Sequence, residues 1–374
     1  MDKVRALSIH ADYRCRHSGN CCSADWDVPV EVPVYRSLSE AVARGQLRPS
    51  SAAEGLLPFI LGPDLPDDAG AMLERTDAGL CVFLEPTSRL CIVHRDLGHD
   101  RLPATCRHFP RVAVHDARGT SVALSHFCPT AASMLFRDDV ALAIVDDPLS
   151  FPPADYEGLT ITEDDLPPLL TPAMLMDLDG YAAWESHMVG RCSNPSIPPE
   201  SVLATLWRDA HVLRAWRPGS QSLADAVAQL PAQYVDPIVL PDLCASLALF
   251  SEVMTAVPDD LRPEPDEHGL QQAFTVFVQP AWSRFHAPIN RYIAAKAFAT
   301  WTAYQGRGIA TIVQGIEAAV ALVRVEAARQ CRDARRQLDQ ALLLEAFRAA
   351  DFALNHLAVG EDLADNWSRA EGRL

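Results

Sequence analysis

Towards the end of the chain the apolar positions recur every three or four residues. Ile309, Ile312, Val313, Ile316, Val320, Val323 and Ala327 fall on one face of a helix. Leu343, Phe347, Ala350, Leu354 and Leu357 follow i, i+4, i+7, i+11, i+14 and line a face of the next. Residues 201–230, 239–256 and 268–303 predict further helices, parted by proline clusters such as PDDLRPEP. The first third reads differently, as short irregular pieces. WDVPVEVPVY (26–35) alternates like a strand that Pro29 and Pro33 confine to an edge or an extended arm, and a helix is predicted over Leu38 to Arg44. LCVFLE and LCIVHR flank the turn PTSR as a hairpin, and VAVHD and SVALSHF flank ARGT as another. Between the two regimes lies the Pro- and Asp-rich run DDPLSFPPADYEGLTITEDDLPP. The expected fold class is mainly α: a small, irregular α+β N-terminal domain over 1–145, a linker over 146–168, and an all-helical domain over 169–374.

Charge narrows the partners. The chain has 49 acidic against 32 basic residues and a net charge of -17, which argues against a nucleic acid or an anionic membrane as the main partner. Only Lys3 and Lys296 are lysines, an arginine bias to which the sequence attaches no function. No run has the length of a signal peptide or a membrane span, so a cytoplasmic location is expected. In that reducing compartment clustered cysteines hold metals or do redox chemistry more often than they form disulfides.

Cysteine usage is where the chemistry lies. Seven of the ten cysteines (Cys15, Cys21, Cys22, Cys81, Cys91, Cys106 and Cys128) fall within the first 128 residues. Isolated in helical surroundings, Cys192, Cys244 and Cys331 read as small buried hydrophobes. Structural zinc takes four Cys or His ligands and iron–sulfur clusters commonly take four cysteines, so seven over-fill one site. They under-fill two, unless His17, His94, His108 or His126 completes the second. Cys21 and Cys22, on an extended backbone, point to opposite faces and serve different partners. A thin core for the N-terminal domain suits a metal-binding role, because the metal supplies stability. The spacing spells neither a zinc ribbon nor a ferredoxin run, which leaves the metal open, with merely buried or redox-active thiols as the other reading.

The blocks YRCRHSGNCCSADWDVPVEVPVYRSL, LCVFLEPTSRLCIVHRDLG, LPATCRHFPR and VALSHFCPTAASML resemble, in order and approximate spacing, the cysteine-cluster (zinc- or iron-chelating) superfamily that includes the flagellin lysine-N-methylases. The resemblance covers about residues 13–136 and extends more loosely to FHAPINRYIAAKAF and the two helices after it. It implies that Cys15, Cys21, Cys22, Cys81, Cys91, Cys106 and Cys128 form the metal site. In the methylase branch this is an iron–sulfur cluster, 4Fe–4S in kind, used with S-adenosylmethionine to methylate lysines of a protein or peptide such as flagellin. Members often carry another cysteine between the positions of Cys15 and Cys21, where this chain has RHSGN, with Ser18 as the replacement.

Arg101, Arg107, His108, Arg111, His115 and Arg118 surround Cys106 as a local basic patch. Arg107 and Arg111 are the candidates to bind an anionic cluster or the carboxylate of S-adenosylmethionine, against the plainer reading of surface ion pairs. Three residues after Cys91, His94 is a candidate ligand or hydrogen-bonding neighbour, and Trp26 a hydrophobic lid. Asp25, Asp27 and Glu31 are candidate bases for deprotonating lysine. HRDLGHDR lacks the asparagine of a kinase catalytic loop, and YQGRGIATI lacks the third glycine and the preceding strand of a dinucleotide site. A Rossmann-type methyltransferase is therefore not expected. The residues leave two other functions open: a non-catalytic zinc- or iron-chelating interaction protein, and an iron–sulfur redox module.

Overall fold

Ile309, Ile312, Val313, Ile316, Val320 and Val323 are all buried, each at 2% exposure or less, on the helix Ile309–Ala334. The structure is a computed structural model in which residues 3–24, 26–50, 57–63, 65–66, 68–154, 156–162, 164–219, 221–235, 240–262 and 268–369 are described. About 49% of the chain is helical, so the fold is mainly α with some β. Among the described residues the strands are β1 (Val4–Leu7), β2 (Pro29–Glu31), β3 (Phe59–Ile60), β4 (Ala69–Leu73), β5 (Arg111–Asp116), β6 (Gly119–Leu124), β7 (Ile144–Asp146), β8 (Gly158–Thr160), β9 (Leu169–Thr171) and β10 (Met174–Leu175). No helix among them is long and apolar enough to cross a membrane.

The chain forms two units: Met1–Tyr13, Ala113–Phe127 and Ala131–Leu374 make one, and Arg14–Val112 with Cys128–Thr130 the other. In the larger unit, helices Pro199–Leu213, Leu243–Met254, His286–Ala297 and Gln340–Phe352 pack around Ile309–Ala334. Asp242 and Asp339 cap two of these by accepting from Cys244 N and Leu342 N, both at 3.0 Å. The predicted helix over 201–230 breaks after Leu213, around Pro218 and the left-handed Gly219. That over 268–303 breaks at a π turn, Phe274–Val278. An additional helix, Leu178–Arg191, starts at the Asp177 cap.

The larger unit also holds a five-stranded sheet of order β7-β1-β6-β5-β8. Strand β1 runs parallel to β6 and antiparallel to β7, and β5 runs parallel to β8. This changes the expected division. Val4–Leu7 and Gly119–Leu124, read as parts of a 1–145 domain, belong with the helices because their backbone hydrogen bonds close this sheet. The run read as a linker supplies β8, and β9 pairs β10 within the region read as all-helical. Glu185 ties sheet to helices: it accepts from Arg5 and Arg118 at 3.2 Å each and from Ala299 N at 3.0 Å.

In the smaller unit β2 is the edge of a sheet ordered β2-β4-β3, as Pro29 requires. The strand stops early, and a helix runs Val32–Ala43 with Pro33 in its first turn. There proline's missing N–H costs nothing and its fixed φ starts the helix. The LCVFLE/LCIVHR hairpin is reduced to one bridge, Leu84 to Cys91, after which Ile92–Leu97 is helical. VAVHD and SVALSHF do form neighbouring strands, β5 and β6.

A buried polar chain runs through the larger unit. Asp351 is fully buried; its Oδ1 accepts from Tyr292 (2.7 Å) and Lys296 (2.5 Å), and its Oδ2 accepts from His126 N (2.5 Å) and faces His126 Nδ1 at 3.1 Å. His126 Nε2 meets His10 Nε2 at 3.3 Å, and both rings are fully buried. Lys296 and the His126 side chain hold the Asp351 carboxyl well below its ordinary range despite its burial, while burial lowers both histidines and keeps them neutral. Nearby, Ser125 Oγ and His356 Nε2 are 3.0 Å apart, and burial brings His356 down to about 4.

Replacing Asp351 with alanine leaves Lys296 without its counter-ion, and a loss of about 3–5 kcal/mol is expected in urea unfolding. Below about pH 6.5 the unfolded chain protonates at position 356, whereas the folded one waits until about 4. Stability therefore falls as pH drops through that window, and His356→Gln flattens the slope of melting temperature against pH.

Candidate metal centre

The site begins with a turn. Gly19 (φ +70) and the 3-10 turn Asn20–Cys22 curl the chain back on itself. A Cβ at Gly19 would stand 2.5 Å from the carbonyl oxygen of Arg89, so only glycine allows this approach to the segment leading into Cys91. Cys81 N donates to Cys22 O at 2.8 Å, Leu84 N to Cys81 O at 2.9 Å and Ile92 N to Phe83 O at 2.9 Å. Backbone pairing thus brings three distant segments to one place.

The side chains follow. Cys22 lies close to Cys21, Cys81 and Cys91, near enough for each to perturb its thiol. The half-buried Cys106 joins the group electrostatically, feeling Cys81, Cys21 and Cys91. The neighbouring Cys22 thiol lowers Cys21 and Cys81 and brings Cys91 to about 7, while Cys22 itself is raised. Burial, then the neighbouring sulfurs, pushes Cys106 up. The Sγ atoms of Cys21 and Cys22 are 3.9 Å apart. Two sulfurs on one tetrahedral zinc, with Zn–S about 2.3 Å, lie about 3.8 Å apart. Thiolates as a class suit zinc or an iron–sulfur cluster, but no group of three or more His, Cys, Asp or Glu side chains among the described residues is placed to hold a metal ion.

Four of the seven predicted sulfurs, those of Cys21, Cys22, Cys81 and Cys91, neighbour one another, and Cys106 packs against the core cluster that holds Cys22 and Cys81. Exposed Cys15 accepts from His17 N at 3.4 Å, and buried Cys128 belongs to the same unit through Cys128–Thr130. Adjacent Cys21 and Cys22 do not serve opposite faces: they sit on a helical turn rather than an extended strand, so both sulfurs reach the same group. Cys192 and Cys331 are core residues as expected, both raised by burial, Cys331 to about 11, but Cys244 is exposed at the start of its helix.

The predicted basic patch divides. His115 and Arg118 fall in the larger unit, His115 bonded to Thr120 (3.0 Å) and Tyr156 O (2.8 Å), Arg118 to Asp116 and Glu185. Arg111 Nη1 donates to the carbonyls of Arg107 and His108 at 3.3 and 3.5 Å, so this part of its guanidinium braces the backbone. Arg107 faces Glu31 at 3.6 Å and keeps a buried Nε without a hydrogen-bond partner. Both nitrogens of His126 are engaged by Asp351 and His10, which removes it from the possible ligands. Trp26 stacks obliquely on Phe109 with centroids 5.1 Å apart.

One residue gains weight. Glu31 Oε1 accepts from Ala104 N at 2.8 Å, its Oε2 is buried with no hydrogen-bond partner, and its charge is felt at Cys106. Asp27 is exposed, and Asp25 lies outside the described residues. No protein-family model matches the chain, and neither does any curated protein or solved structure.

Replacing Cys22 with alanine removes the sulfur shared by three others and is expected to weaken metal binding by at least ~100-fold. Cys244→Ala is expected to leave it unchanged; metal analysis of the purified variants checks both.

Proposed function

We propose that the protein is a cysteine-cluster metalloenzyme of the flagellin lysine-N-methylase kind, transferring methyl from S-adenosylmethionine to lysine side chains of a protein or peptide. What supports the metal centre is the meeting of Cys21, Cys22, Cys81, Cys91 and Cys106 from separate blocks. The reaction itself rests on the resemblance of those blocks to the methylase branch. A bound 4Fe–4S cluster or zinc would supply a redox or Lewis-acid centre, with Cys15 and Cys128 as the remaining candidate ligands.

The chain's own groups have defined tasks. Lysine is nucleophilic only when deprotonated, and its ordinary pKa is about 10.4. Glu31 Oε2, buried and without a partner, is the acceptor for that proton. Methyl passes from the sulfonium sulfur to lysine Nζ, the Nζ proton goes to Glu31, and S-adenosylhomocysteine departs. Arg107 Nε is the donor for the cosubstrate's carboxylate. The net charge of -17 draws a lysine-bearing segment rather than nucleic acid.

A non-catalytic metal-binding module is the second reading. It is favoured by the short core of the smaller unit, where Val30, Leu38, Phe59 and Phe83 pack with Cys22 and Cys81 themselves. A brown protein from anaerobic purification indicates iron–sulfur, and a colourless one zinc. Metal-replete protein given labelled S-adenosylmethionine is expected to label flagellin or a lysate protein, and Glu31→Gln to keep its metal while losing at least ~100-fold in rate. No label transfer from metal-replete protein rejects the enzyme and leaves the module.

A further inference from the structure

We propose that His17 and His94 form a second, labile metal site that takes one divalent transition ion of the zinc class, with water completing its shell. His17 stands in the left-handed region (φ 53), just before the turn at Gly19, and His94 lies in the helix Ile92–Leu97. Their ring centroids are 4.6 Å apart and the planes are tilted by 52°. With metal–nitrogen bonds of about 2.0–2.1 Å, two imidazoles on one tetrahedral ion have centroids about 5 Å apart, so a small opening of this pair admits the ion.

The ordinary uses of a surface histidine do not apply. Among the described residues neither ring donates or accepts a hydrogen bond, and neither has a carboxylate partner. The two rings line a cavity of about 230 Å³ together with Leu90, Cys91 and Arg95. Arg95 is itself paired with Asp96, through Nε at 2.6 Å and Nη2 at 2.8 Å, which offsets its charge. His99 continues the row, its centroid 5.6 Å from that of His94.

Cys91 gives the pair a role. It borders this cavity and also belongs to the sulfur group, so an ion held by the imidazoles shares a cavity with a thiol of the tighter centre. The pair is an exchange position, loading or relieving that centre. The exchange role rests on the proposed sulfur centre, whereas the imidazole site stands without it and without the methylase reading.

Cobalt(II), and zinc(II) in competition with a chromophoric chelator, are titrated into the reduced full-length protein under nitrogen. Wild type is expected to bind a tight class with thiolate-to-cobalt charge transfer and a weaker class without it. The double variant His17→Ala/His94→Ala should lose the weaker class, by at least ~10-fold in affinity, and keep the charge-transfer band. His211→Ala, an exposed histidine elsewhere, should match wild type. A double variant that binds as many ions as tightly as wild type, or a wild type with no weaker class, overturns the proposal. A weaker class lost in the double variant, with no thiolate band in any protein, rejects the sulfur centre and upholds the imidazole pair.

Discussion

The N–H of Cys81 donates to the carbonyl of Cys22 at 2.8 Å, and the sulfur group depends on that return of the chain. Without it, Cys21 and Cys22 would lie almost sixty residues of chain away from Cys81, and no side-chain flexibility could close the gap. Gly19 makes the return possible by letting the backbone pass the Arg89 carbonyl. Cys22 and Cys81 are themselves part of the unit's core, packed with residues such as Leu38, Phe59 and Phe83. Because these thiols belong to the core, a metal held by them would also contribute to folding.

The larger unit is built on the opposite principle. Its apolar core, around Ile309–Ala334, is extensive enough to carry buried charge. Asp351, Lys296, Tyr292, His126 and His10 form a chain of contacts in which most polar atoms find a partner, and Glu185 does the same for two arginines. In a protein that uses arginine almost everywhere, Lys296 occupies the one place described where a compact ammonium meets a fully buried carboxylate. Groups of this kind specify how elements dock, since removing any member leaves another desolvated and unpaired.

Helices of the larger unit were legible because periodicity is a local property, and the stripes from Ile309 and Leu343 became buried faces. Their interruptions were less so: a π turn at Phe274–Val278 answers to packing and has no sequence signature. Pro33 was misread as a strand residue because proline suits both an edge strand and the first turn of a helix. Cys21 and Cys22 were assigned to opposite faces on the assumption of an extended backbone, which the turn at Gly19 replaces. That Arg111 Nη1 braces the carbonyls of Arg107 and His108 was not visible in the sequence. Nothing in the sequence pointed to the Asp351 chain, whose members come from positions 10, 126, 292, 296 and 351.

By itself the sequence determined the helix-rich character, the acidic surface and the crowding of thiols into the first 128 residues, because composition and short-range spacing suffice for each. Tertiary structure alone decided which sulfurs meet, that Glu31 keeps a buried oxygen without a partner, and that His17 faces His94. The physical reason is that these are contacts between segments far apart along the chain. Their geometry is set by backbone hydrogen bonds and close approaches such as that at Gly19, which no local pattern of residues encodes.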